Sequence, residues 1–407
     1  MIFDVCIVFY AIRADLRPKA NKNLTKPALN TQVISRPSNH ILFVFDYILR
    51  AKKYTIRREE IMKTIALTGG GSAGHVVPNL ALLPELKKYF RVVYIGTQGI
   101  EHTLLKNSGV TFYDISAVKF VRGSLLKNVK LPVRLFKSVK QAEKVLTDCK
   151  ADVVFSKGGY VALPVVLAAR RKKIPVYSHE SDYSPGLANK IIAKRCNAVF
   201  TSFPETADKF KNGVYSGSPV RAELFGASRL AALQKYGFDG KKPILLTFGG
   251  GSGSAAITQA VEAALDEILQ RFDVLHIRGK NGDPPEKRGY VSLEYERDMA
   301  SAYACADYVL ARAGSNTVFE LAALKKPALL VPLHNKRSRG DQEENAVYFA
   351  ERGLCRVLPE KELTPKKLTR ALYDLLEDRT LLRKINQSSF RSGNDFLLNE
   401  LKKYAEP

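Results

Sequence analysis

The tetrapeptide Gly-Gly-Gly-Ser occurs twice in this chain, at residues 69–72 and 249–252, each time after a short β-rich run and before a helical stretch. Glycine lets the backbone at such a junction approach a ligand closely, and the helix that follows points its unpaired N–H groups at the same spot. A chain with this junction in each half is restricted to parallel-sheet architectures whose strands end at a shared functional edge.

The flanking sequence agrees. Thr64–Thr68 reads as a first strand, followed by the glycine loop and a helix starting near Pro78, with Leu80, Leu83 and Leu86 recurring along it. Arg91–Ile95, Val110–Ile115, Val153–Ser156, Pro175–Ser178 and Ala198–Ser202 are further apolar runs separated by helical segments. A polar connector, Gly217–Gly226, follows, and the pattern restarts: strand Pro243–Phe248, helix Ala255–Gln270, and strands Val274–Ile277, Tyr308–Ala311 and Ala328–Val331. Short apolar runs bounded by glycines and helices predict parallel strands buried on both faces. The fold class is α/β: two doubly wound Rossmann-like domains facing a cleft. Residues 62–220 are expected to form the first domain and 221–380 the second, with 381–407 a C-terminal helix returning to the first.

Residues 1–61 differ in texture. All 27 glycines lie beyond residue 61, where ordinary usage would place about four before it. Asp4 and Asp46 interrupt the apolar runs Met1–Ile12 and Ile41–Leu49, and no basic segment precedes the first, so a signal peptide fits poorly. The stretch is expected to be an extension outside the enzyme, disordered or untranslated, with Met62 as the working start. Arg57-Arg-Glu-Glu60 can be encoded by purines alone, as an in-frame ribosome-binding site would be. The competing reading is a basic arm that touches a membrane or partner.

Composition narrows the function. Hydrophobic content of 45% and charged content of 26% exclude wholesale disorder. The five cysteines form no CxxC pair, which argues against a disulfide framework or zinc knuckle and suits a reducing cytosol. No apolar run approaches the roughly 20 residues of a membrane-spanning helix. Net charge is +24, which points to an anionic partner: nucleic acid, an anionic membrane surface or a phosphorylated substrate.

Gly69–Gly74 matches the dinucleotide fingerprint GxGxxG, but the next strand ends Tyr94-Ile-Gly-Thr97, without the acid that would hold a ribose. NAD is therefore disfavoured; a ligand-free tight turn is the plain alternative. The second loop, Phe248–Ser254, is also an anion cradle in type. Ala313-Gly-Ser-Asn-Thr-Val-Phe-Glu320 opens a further helix, with Ser315, Asn316 and Thr317 as expected capping residues favouring phosphate. Glu320 suits vicinal ribose hydroxyls, or equally a surface carboxylate complementing the helix dipole. Ser156–Tyr160, His179–Gly186 and Asp341–Asn345 follow strands too, at the functional edge. His75 stands at a helix start, which disfavours its cationic form. There is no HExxH or Asp-x-Asp, and Glu180-Ser-Asp182 is a weak chelating pair, so neither metal nor cofactor is expected.

Ala117–Lys140 holds seven basic residues and no acid, interleaved with apolar ones. It reads as a solvated helix face or as an interfacial segment meeting anionic lipid. A nucleic-acid groove ranks third, since no RRM, KH or zinc-finger signature supports it.

Together the motifs resemble the MurG family of N-acetylglucosaminyltransferases, which convert lipid I to lipid II in peptidoglycan synthesis. The resemblance rests on Thr68–His75, Phe155–Tyr160, His179–Lys190, Gly217–Arg221, Gly249–Ser252, Arg312–Glu320 and Ser338–Gln342, and runs from about Met62 to the C-terminus. It implies a GT-B fold with UDP-GlcNAc held mostly by the second domain. Ser252 and its loop would hold the diphosphate, with Arg221 near the same site. Ser315, Asn316, Thr317, Val318, Phe319 and Glu320 would bind phosphate and ribose, with Gln342 on the GlcNAc hydroxyls. Ser72, Ala73 and Gly74 would face the acceptor and, with Asp182, bind the donor, while His75 and Glu180 would be the catalytic groups. Each glycine loop would then serve one substrate diphosphate. Two departures stand out: Ser72-Ala73-Gly74 replaces a frequent Thr-Gly-Gly, and Asp182 stands where many members have Asn.

The expected reaction is inverting, metal-independent transfer of GlcNAc to the 4-hydroxyl of lipid I, by a peripheral protein on the cytoplasmic face of a bacterial membrane, with no nucleic-acid partner. The alternatives are a UDP-sugar transferase with another lipid acceptor and, from a different class, a basic nucleic-acid-binding protein. A UDP-GlcNAc 2-epimerase is more distant, needing no membrane face.

Overall fold

The computed structural model describes residues 62–119, 129–251, 253–280, 282–334, 340–390 and 392–405. The expectations for residues 1–61 and for Ser252 lie outside the described residues.

Seven strands form the first sheet: β1 (Thr64–Thr68), β2 (Arg91–Gly96), β3 (Thr111–Asp114), β4 (Val153–Ser156), β5 (Val176–Glu180), β6 (Ala198–Thr201) and β7 (Gly213–Tyr215), ordered β3-β2-β1-β4-β5-β6-β7. Six form the second: β8 (Ile244–Phe248), β9 (Asp273–Ile277), β10 (Tyr290–Leu293), β11 (Tyr308–Ala311), β12 (Ala328–Leu330) and β13 (Arg356–Val357), ordered β10-β9-β8-β11-β12-β13. Every pairing is parallel, for example Thr64 opposite Arg91 and Phe248 opposite Ile277.

Successive side chains of a strand point to opposite faces, so a strand covered on both sides must be apolar throughout. In β1, Ile65 and Leu67 enter one hydrophobic layer and Ala66 the other. In β8, Leu245 faces one layer while Ile244, Leu246 and Phe248 face the opposite one. β1 lies between β2 and β4, and β8 between β9 and β11, so each sheet reverses its direction of growth there and opens a crevice beyond the carboxyl ends. Both glycine loops emerge at these points.

The expected central strands are present within a residue or two. The sequence reading missed β7, β10 and β13, all at or beside solvent-facing sheet edges. An edge strand is covered incompletely and needs no continuous apolar run; Val214 and Tyr215 of β7 are exposed. The helix expected over Ala255–Gln270 is two, Ala255–Ala263 and Leu265–Arg271, broken at Ala264.

The halves share structure. Phe203, just after β6, joins the hydrophobic core of the second half, its ring 4.9 Å from Phe319 and 4.7 Å from Tyr348. Past residue 390 the chain crosses back: Asn394 accepts from Val220 N at 3.0 Å and donates to Val220 O at 2.7 Å. The helix Asn394–Lys402 then places Leu397, Leu398 and Leu401 in the first half's core, against the helix Val77–Tyr89.

Candidate active site

The first glycine loop turns through a short 3-10 segment, Ala73–His75, before the helix Val77–Tyr89. Ser72 Oγ lies 2.9 Å from His75 Nδ1, so the hydroxyl orients the imidazole. Part of the expected anion cradle is filled from within. Glu101 is fully buried and accepts from Gly71 N at 3.2 Å, Thr97 N at 3.0 Å and Thr97 Oγ1 at 2.5 Å. The expectation of a diphosphate along the whole loop therefore contracts to Ser72, Ala73 and Gly74.

Behind this loop, β4 and β5 end in a cluster of buried polar groups. Glu180 Oε1 accepts from Asp182 N at 3.0 Å, and Oε2 accepts from Gly186 N at 3.1 Å and Asn189 Nδ2 at 2.8 Å. Burial, then the neighbouring Asp182, pushes the Glu180 carboxyl above its usual range. Three donors from residues 182–189 make Glu180 an organiser of that segment. Asn189 Oδ1 also accepts from Gly159 N at 3.3 Å. Gly158, at φ +83°, passes so close that a Cβ there would lie 1.9 Å from Asn189 Oδ1. Lys157 Nζ reaches His179 Nδ1 and Ser181 Oγ, each at 2.5 Å.

In the second half Gly314, extended at φ −63° and ψ 141°, caps the helix Ser315–Ala323 without a side-chain bond. Ser315, Asn316 and Thr317 are thus first-turn residues and not caps, and their amides belong to the open helix end. Val318 and Phe319, expected at the donor, are core side chains, each 2% exposed. Phe319 packs on Phe203, Phe349 and Phe390. Helical periodicity turns these two inward while Glu320 returns to the site. Glu320 is buried, which removes the surface-carboxylate alternative: Oε1 accepts from Arg221 Nε at 3.0 Å and Oε2 from Tyr303 Oη at 3.1 Å.

Gln342 stands in the first turn of the helix Asp341–Glu351, and its Oε1 accepts from Leu333 N at 3.0 Å, tying that helix to the loop after β12. Arg312, just past β11, donates to Ser254 Oγ at 2.8 Å, to Val331 O at 3.1 Å and to Glu360. It thereby joins the second glycine loop to two strand ends.

The two halves meet at these groups. Asn316 Nδ2 donates to Gly74 O at 3.3 Å, and a Cβ on Gly251 would lie 3.6 Å from Ala73 Cβ. Asn345, fully buried, accepts from Tyr183 N at 3.0 Å and donates to Asp182 Oδ1 and Ala313 O, both at 3.3 Å. Asp182 therefore lies at the junction between the halves, as do Ala73, Gly74 and Asn316. The sequence reading assigned no role to Glu101, Lys157, Tyr303, Arg312 or Asn345. Lys157, Arg312 and Asn345 lay inside motifs it quoted, whereas nothing local marked Glu101 or Tyr303.

Two Rossmann-like domains joined by a crossing C-terminal helix, with a glycine loop from each converging on one cleft, define a GT-B glycosyltransferase. Residues 65–201 match the glycosyltransferase family 28 N-terminal domain and residues 244–397 its C-terminal domain. A UDP-N-acetylglucosamine--N-acetylmuramyl-(pentapeptide) pyrophosphoryl-undecaprenol N-acetylglucosamine transferase of Clostridium botulinum (strain Loch Maree / Type A3) is 43% identical over 354 residues, covering 85% of this chain and all of that protein. The protein of the same name from Clostridium kluyveri is 43% identical over 352 residues, covering 84% of this chain and all of its own. The crystal structure of Acinetobacter baumannii MurG superposes with a TM-score of 0.65 at 27% identity, covering 84% of this chain and 99% of that one. The chain belongs to glycosyltransferase family 28 and, within it, to the MurG family.

Proposed function

We propose that the protein transfers GlcNAc from UDP-GlcNAc to the 4-hydroxyl of lipid I, with inversion at the sugar's anomeric carbon, giving lipid II for peptidoglycan synthesis. The single observation that carries the reading is the full-length correspondence with relatives of that name, at 43% identity. The acceptor oxygen bonds to the anomeric carbon as its bond to UDP breaks. His75, held by Ser72, takes the hydroxyl proton, and UDP leaves with the electron pair.

The donor lies on the second half. Glu320 accepts the ribose hydroxyls, and Arg221, fixed by Glu320, lies beside the diphosphate. The first-turn amides of Ser315, Asn316 and Thr317, with the second glycine loop, stabilise the charge that develops on the leaving group. Gln342 presents its Nε2 to the sugar. Glycine-loop amides and a helix end supply the stabilisation that a divalent ion provides elsewhere, so turnover needs no metal. Incubation with labelled UDP-GlcNAc and lipid I tests the reading; a β-linked disaccharide product supports it, and hydrolysis of UDP-GlcNAc alone sinks it.

The membrane face is the start of the helix Leu131–Asp148. Val129, Val133 and Phe136 are 69%, 62% and 54% exposed there, beside Lys130, Arg134, Lys137 and Lys140. Apolar side chains interleaved with cations suit an anionic bilayer surface. No helix among the described residues is long and apolar enough to cross a membrane. The enzyme works from the cytoplasmic face, where a UDP-sugar is available.

A further inference from the structure

Ser72 is tied to His75 twice: His75 N donates to Ser72 O at 3.1 Å, and Ser72 Oγ lies 2.9 Å from His75 Nδ1. For Nε2 to take the acceptor's proton, Nδ1 must carry the ring hydrogen and donate it to Ser72 Oγ. The place of Ser72 therefore sets the tautomer as well as the direction of the imidazole. Ser72 is exposed, however, so water competes for that bond, and the bond cannot hold the loop unaided.

The hold comes from beneath, through the preceding residues. Glu101 is fully buried at the start of the helix Ile100–Leu105, and its Oε2 accepts from Gly71 N at 3.2 Å while Oε1 serves Thr97 N and Oγ1. The fit is close, since a Cβ on Gly70 would lie 2.6 Å from Glu101 Cδ. The carbonyl oxygen of the same Gly70–Gly71 peptide packs on Gly159, where a Cβ would lie 2.6 Å from that oxygen and 3.1 Å from His75 Nδ1. Two residues earlier, the buried Tyr94 Oη donates to Gly69 O at 2.7 Å. The peptide that leads into Ser72 is thus fixed on its N–H side by Glu101 and on its carbonyl side by the residue that also backs the imidazole.

We propose that Glu101 is a positioning residue for the transfer reaction: its buried carboxylate fixes Gly71, and through it Ser72, so that His75 presents Nε2 to the acceptor hydroxyl. The inference rests on the reading that His75 is the base. It makes the first glycine loop a seat for that base more than a cradle for phosphate, because the protein's own carboxylate already occupies the Gly71 amide.

Glu101→Gln is the test, with Ser72→Ala as its partner. Glutamine keeps the volume, and the shorter bonds, those to Thr97, take its oxygen, which turns Nε2 toward Gly71 N, a donor facing a donor. Gly71 then shifts with Ser72, and misplacement by about 1 Å costs up to about a hundredfold in rate. The expected result is a fall in kcat of between about tenfold and a hundredfold, with the UDP-GlcNAc KM unchanged. On top of Ser72→Ala the same substitution should lower kcat by less than about twofold, because both act on one tie. Wild-type kcat in Glu101→Gln, or the full loss repeated on top of Ser72→Ala, would overturn the proposal. So would an unchanged kcat with a lower KM for lipid I, the sign of a carboxylate that merely repels the acceptor's diphosphate. If Glu101→Gln does not fold, Glu101→Asp takes its place: it keeps a carboxylate for Thr97 but is one methylene too short to reach Gly71 as well. A fall in kcat absorbed by Ser72→Ala then supports the proposal, and an additive fall or none refutes it. His75→Ala keeps the two readings apart: wild-type kcat there sinks the base assignment, whereas a slow His75→Ala protein beside an additive Glu101→Gln sinks only the positioning role.

Discussion

Replacing Glu320 by alanine separates the two jobs of its carboxylate, clasping the fold and binding the ribose. One oxygen is held by Arg221 and the other by Tyr303, whose ring is 1% exposed. A buried phenol stripped of its acceptor costs about 1–3 kcal/mol. Breaking a buried ion pair costs about 3–5 kcal/mol in the worst case. Arg221, however, retains 18% side-chain exposure and a second carboxylate, Glu223, at 3.6 Å, so its share falls well below that range. A total near 3–4 kcal/mol, at about 2–4 °C per kcal/mol, lowers Tm by roughly 10 °C. The lost ribose contact adds about 1.5–3 kcal/mol to donor binding, a rise in UDP-GlcNAc KM of roughly 10- to 150-fold. Glutamine keeps the shape and one oxygen acceptor for Tyr303, so Glu320→Gln should recover part of the Tm while the donor KM stays high. Scanning fluorimetry and a UDP-GlcNAc titration well below Tm measure both quantities. A folded Glu320→Ala protein with wild-type donor KM would refute the ribose assignment, leaving the carboxylate a purely structural clasp.

His75→Ala should lower kcat by about 10²–10⁴-fold with little change in donor KM; a loss of thermal stability with the rate per folded molecule intact would assign His75 to structure. Turnover should persist in excess EDTA, and abolition by chelator with recovery on adding magnesium would contradict the reliance on helix-end amides. Reversing Lys130, Arg134 and Lys137 to Glu should release the protein from anionic liposomes, each cation contributing about 1 kcal/mol; unchanged co-sedimentation would return the helix face to plain solvation. Burial, then Arg278, lowers the His276 pKa from 6.5 to about 4. Between those values the unfolded chain binds the proton and the folded protein does not, so stability is lost as pH falls from 6.5 toward 4. Tm measured across that range should decline, and His276→Gln should flatten part of the slope; an unaltered slope would show that other groups set it.

The local units of this fold were legible because their physics is local. Val153–Ser156 and Tyr308–Ala311 emerged with their observed boundaries, since strands covered on both faces must be continuously apolar between turn signals. The glycine loops marked the carboxyl ends of β1 and β8 for a related reason: only glycine permits the backbone path that a ligand-binding turn needs there. Edge strands such as Gly213–Tyr215 escaped notice because partial exposure relaxes that pattern. The site was legible as motifs, though not as a network. Helical spacing by itself placed Glu320 in the helix Ser315–Ala323, but packing decided that Val318 and Phe319 face the core and that Arg221 and Tyr303 clasp the carboxylate. Folding likewise brought Glu101 under Gly71, Lys157 against Ser181, and Asn345 against Tyr183, 162 residues away in sequence. Side chains so far apart meet only where two sheets and a crossing C-terminal helix bring their elements together, and no periodicity within a single segment encodes such a meeting.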